Sequence, residues 1–70
     1  MNRLAHYIAA KQEENIELSL RIYYTKRMGW TIAIHKKGYD MPIVYVREND
    51  KDEALNLAYA ALKVKLEGHL

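Results

Sequence analysis

From Ile16 to Thr25 the chain alternates without a break. Ile16, Leu18, Leu20, Ile22 and Tyr24 point one way, and Glu17, Ser19, Arg21, Tyr23 and Thr25 the other. A period of two is that of a strand with one buried and one wet face. Such a strand needs partners for its edges and a cover for its apolar face. Lys26-Arg27-Met28-Gly29 reads as a tight connection, and Trp30 to Lys36 as a second strand. In that strand Trp30, Ile32 and Ile34 face in, and Thr31, Ala33 and His35 face out. Gly38 and Pro42 punctuate a second turn, and Ile43 to Arg47 follows as a third strand. Its branched residues leave the facing open: either Val44 and Val46 are buried, or Ile43 and Tyr45 are.

The flanks have helical spacing instead. Met1, Leu4, Ala5, Ile8 and Gln12 form a narrow stripe over residues 2 to about 14. Asp50, with Glu53 three residues on, resembles a capping box opening a last helix. Ala54, Leu55, Ala58, Leu62 and Leu66 form its main stripe, and Gly68 can end it. The fold expected is α+β: helix, three-stranded antiparallel sheet, helix, in one domain over residues 1–70, with both helices on one sheet face.

Seventy residues leave no room for a second domain. Half of them are apolar and 29% charged, a globular composition. A domain this small buries only about 60% of the surface its unfolded chain exposes. Small domains often add disulfides, metals or self-association. The chain has no cysteine, so self-association, as a homodimer, or a partner remains. No apolar run of signal-peptide or membrane-span length is present, and a cytoplasmic location is the expectation.

The net charge of +2 is unevenly spread. Residues 18–47 hold Arg21, Lys26, Arg27, Lys36, Lys37 and Arg47 against Asp40 alone, a net +5. The segments on either side are net acidic. Cations interleaved with tyrosines on a sheet face suit an acidic protein surface, or a phosphate backbone with unstacked bases. A solvated sheet with lysines guarding its turns is the plain alternative. The face would carry Arg21, Tyr23, Thr31, His35 and one of Tyr45 or Arg47, with Lys26, Arg27, Lys36 and Lys37 in its hairpin turns.

Catalytic chemistry has little to work with. Ser19 is the one serine, and no G-x-S-x-G elbow surrounds it. His6, His35 and His69 have no metal-ligand spacing. Asp50, Asp52 and Glu53 lack the glycine and glutamate of a calcium loop, and helix capping accounts for them. The glycines are scattered, so no loop cradles a phosphate. No catalytic residue, metal site or cofactor is expected, and the chain reads as a non-enzyme. The last helix does hold a second apolar stripe, Leu57, Ala61 and Val64. Either the first helix covers it, or a dimer or partner does.

The element order resembles the double-stranded-RNA-binding domain, as does the alanine-rich stretch Asp52-Glu53-Ala54-Leu55-Asn56-Leu57-Ala58-Tyr59-Ala60-Ala61-Leu62. That resemblance implies the topology. The family's lysine cluster is replaced here by Asp50-Lys51-Asp52-Glu53, which repels phosphate. Gly29-Trp30-Thr31-Ile32 entering a strand, and Asp52-Glu53-Ala54 opening a helix with Ala60-Ala61-Leu62, resemble small α/β sandwich proteins of phages and prophages. That likeness implies a binding protein that blocks a host enzyme or defence complex by occlusion, as anti-CRISPR proteins do. The expected partner is a host protein with an acidic surface, or alternatively nucleic acid on the same basic face.

Overall fold

The computed structural model describes residues 2–68. Helix α1 spans Arg3–Glu13 and strand β1 Leu18–Thr25. Strand β2 spans Gly29–Lys36, strand β3 Val44–Glu48 and helix α2 Lys51–Glu67. The strands form one antiparallel meander in the order β1-β2-β3. The expected αβββα architecture is present, with both helices packed against the sheet. Met1 and His69 lie outside the described residues.

Local chemistry explains each boundary. The Asn2 side chain caps α1 by accepting from the Leu4 and Ala5 amides. At the other end Asn15 takes a left-handed φ of 69°. The Asn15 amide donates to the Gln12 carbonyl and the Ile16 amide to the Lys11 carbonyl, a complete Schellman closure. Ile16 is therefore spent on closing α1, and β1 begins at Leu18 rather than at Ile16 as the alternation implied. In the first hairpin the Thr25 hydroxyl accepts from the Met28 amide, and Gly29 re-enters the sheet at φ 78°. Asp50 caps α2 by accepting from the Asp52 amide, and Gly68 closes it in the left-handed region.

One core lies between the layers. Leu18, Ile32, Ile34 and Val44 meet Leu4, Ile8, Ala54, Ala58 and Leu62 there, all buried. Alternation in β3 is thereby settled: Val44 and Val46 turn inward, while Tyr45 and Arg47 turn out. Three inward positions differ from expectation. Tyr24 is largely exposed, and Ala5 and Gln12 of the α1 stripe are exposed. Tyr24 instead rests on Trp30, ring centroids 5.3 Å apart, and the Lys51 ammonium lies 5.0 Å over the same indole.

The helices meet through one flank of α2. The rings of Tyr7 and Tyr59 stack edge to face at 5.6 Å, and the Tyr7 hydroxyl donates to the Glu67 carboxylate at 2.7 Å. Leu57, Ala61 and Val64 lie on the flank away from Tyr59. Leu57 and Val64 stay exposed, and only Ala61 is half-buried. The expectation that α1 covers this stripe is corrected: Tyr7 draws α1 to the opposite side. No helix among the described residues is long and apolar enough to cross a membrane.

Candidate binding surface

The sheet face away from the helices is built by register. Arg21, Ala33 and Tyr45 make one row across the three strands. Tyr23, Thr31 and Arg47 make the next. Cation and aromatic therefore alternate on the outer strands, with a small residue between them on β2. Ser19 faces His35 one row further along. Each strand presents these residues because period-two alternation sends its aliphatic set to the core.

Thr31 and Ala33 were expected to be solvated, and they are not. Thr31 is fully buried and Ala33 nearly so. The long side chains on either side close over them. The covered Thr31 hydroxyl makes no hydrogen bond of ordinary geometry, and the Tyr23 phenol is the polar group beside it. Tyr23 and Tyr45 keep 40% and 52% of their surface exposed, so their rings both shield β2 and face outward. Hydrogen bonding to the Tyr45 hydroxyl, then burial, raises the pKa of Tyr23. The Tyr23 phenol thus stays a neutral donor at physiological pH.

Electrostatics single out the same rows. None of the outward positions of the three strands holds a carboxylate. Among the described residues the ion pairs are Lys11 with Glu14 and Lys37 with Glu17, and neither involves Arg21 or Arg47. The Arg47 guanidinium lies 5.6 Å from the Tyr45 ring centre and donates to the Met28 sulfur at 3.2 Å. Both contacts hold it without neutralising it. Lys26 and Arg27 stand exposed in the turn at the Tyr23–Arg47 end.

The other basic turn does not join. Lys36 pairs with Leu18 on the helix side of the sheet, and its ammonium sits 5.2 Å over the Tyr39 ring. Lys37 is tied to Glu17 at 3.3 Å. The expectation that Lys36 and Lys37 extend the basic face is corrected, since strand alternation turns Lys36 to the helix side and Glu17 pairs Lys37. His35 does lie on the face, half-buried at its end. A shallow cleft of about 330 Å³ runs past Ser19, His35 and Tyr39. No hydrogen bond joins Ser19 to His35, so nothing there prepares a nucleophile. Among the described residues no group of histidines and carboxylates is gathered as a metal site.

The reading of either Tyr45 or Arg47 on the face undercounted it, because the structure places both there. A signal was available. An arginine with no acid opposite cannot turn into a core, so Arg47 sets the parity of its strand and carries Tyr45 out with it. Comparison with protein-family models, curated proteins and solved structures gives no match.

Proposed function

We propose that this chain is a non-enzymatic binding protein whose open sheet face docks on an acidic surface of another protein and occludes it. The observation that carries this reading is the two-row arrangement of Arg21, Tyr23, Tyr45 and Arg47, with no carboxylate among the outward strand positions. Tyrosine and arginine anchor interfaces because they offer large contact area and several donors at modest entropic cost. Shape argues for a macromolecule. The face is a ridge of side chains over a filled middle strand, and Tyr23, Tyr45 and Arg47 line none of the four best-formed clefts among the described residues. The likeness to small phage proteins supports a host protein as the target and inhibition as the outcome.

The double variant Arg21→Glu, Arg47→Glu tests it. Both side chains are exposed, so the fold should persist by circular dichroism. The wild type, used as bait in a host lysate, is expected to retain a partner that mass spectrometry identifies and the double variant loses. With that partner purified, each arginine should be worth about 2 kcal/mol, or roughly thirtyfold in Kd. Equal affinity for wild type and double variant would remove the sheet face from the mechanism.

A second reading is favoured by one feature. Two exposed tyrosines flanking small residues also make a stacking platform for unpaired bases. Fluorescence anisotropy with labelled single-stranded DNA, duplex DNA and duplex RNA separates the two. Binding that collapses with salt, at a slope of about 0.7–0.9 per phosphate neutralised, replaces the protein partner with a nucleic acid.

A further inference from the structure

We infer that the chain forms a two-fold dimer in which β3 pairs with β3 of a second copy, giving a continuous six-stranded sheet with the two α2 helices packed beside the dyad. The proposal rests on the strand edge and the helix flank alone, whatever the open face binds.

Three observations converge. First, β3 is an edge strand, so half of its backbone donors and acceptors have no partner strand. Second, the apolar flank of α2 lies on that side of the molecule. Helix α2 packs over β3 and β2, and α1 takes its Tyr59 flank. Leu57 and Val64, at 44% and 39% exposure, with Ala61 between them, therefore run along the free edge of β3. The β1 edge has no such companion, since α1 exposes Ala5, Ala9 and Gln12.

The third observation is that β3 is complementary to itself. Antiparallel pairing about a dyad through Val46 engages all five residues from Val44 to Glu48. It sets Val46 opposite Val46 on the helix side, and Arg47 opposite the second copy's Tyr45 on the open side. An arginine beside a tyrosine ring is favourable, as the same two residues already show within one chain. A dyad at Arg47 would oppose two cations, and one at Tyr45 would pair fewer strand residues.

Spacing agrees. Neighbouring strands lie about 4.8 Å apart, so a helix axis between β3 and β2 stands about 5 Å from the dyad. Two such axes are then about 10 Å apart, within the distance at which helices pack. A dyad normal to the sheet keeps both α2 helices on one side, with their leucine flanks facing. On the other side the rows of arginine and tyrosine run on from copy to copy without a break.

Sedimentation velocity over a dilution series, from nanomolar to hundreds of micromolar, is the test, with two variants beside it. Wild type is expected to show a reversible monomer–dimer equilibrium. Leu57→Lys should remain monomeric with an unchanged circular dichroism spectrum, because Leu57 is exposed in the single chain. Val46→Cys should form a cross-linked dimer on mild oxidation, since directly opposed residues have close Cβ atoms. Tyr45→Cys, whose opposite number is Arg47, should not. A wild type that stays monomeric at the highest concentration overturns the proposal. So does a dimer that survives Leu57→Lys and whose Val46→Cys form does not cross-link.

Discussion

At Gly29 the backbone takes a φ of 78°, and a Cβ built there would lie 2.7 Å from the Glu48 carbonyl oxygen. Two costs therefore fall on any other residue: the left-handed conformation, about 1–2 kcal/mol, and a clash with backbone that no rotamer relieves. Gly29→Ala should destabilise the fold by about 2–3 kcal/mol in urea unfolding, by pushing β3 away from the hairpin. Thr31 makes the opposite case. Its hydroxyl is buried outside ordinary hydrogen-bond geometry, with the Tyr23 phenol beside it, so folding strips its water and returns little. Thr31→Val keeps the shape and removes the unsatisfied group. It should raise stability by about 1 kcal/mol, read as a higher urea midpoint at unchanged slope. Thr31 was legible as an outward residue but not as a buried one. Its burial comes from the reach of Tyr23 and Arg47 on neighbouring strands, which alternation along one strand does not contain.

Among the elements, α2 depends most visibly on its ends. Asp50 accepts from the Asp52 amide at 3.3 Å, and Asp52 and Glu53 add negative charge to the first turn. Asp50→Ala should cost about 1 kcal/mol, measurable as a lower Tm. The order and type of all five elements could be read from periodicity, because helix and strand differ in period and each segment here keeps one. Boundaries and flanks were less legible. Ile16 satisfies the strand pattern and the Schellman closure equally, and only the Asn15 conformation assigns it to the helix. The Leu57 flank was visible as apolar, but which flank α1 takes depends on Tyr7 meeting Tyr59. Of the candidate face, Arg21, Tyr23 and Arg47 were foreseen. Lys36 was misplaced although the parity of β2 sends it to the side opposite His35, and Lys37 because its partner Glu17 lies on a distant segment.

For the whole molecule, a single core between one sheet face and two helices leaves a small margin of stability. The tie between the chain's two ends then matters. Burial and the Glu67 carboxylate push the Tyr7 pKa up to about 12 from its ordinary 10. The group binds its proton more tightly when folded, so its contribution is complete below pH 10. It is lost as pH rises through 12. Stability followed by circular dichroism should fall over that window. Tyr7→Phe keeps the ring against Tyr59, and it should lower neutral-pH stability by about 0.5–1 kcal/mol and flatten the alkaline fall.

Trp30 is the only tryptophan, and it sits where three elements meet: its own strand, Tyr24 of β1 and Lys51 of the first turn of α2. That placement turns the indole into a built-in optical gauge. Its emission reports the seam between hairpin and last helix, with Tyr24 as an energy donor 5.3 Å away. A shift in that emission signals the seam loosening, and a Tyr24→Phe variant isolates the share of transfer that the hairpin end contributes. One chromophore thus watches the junction of hairpin and last helix without any label.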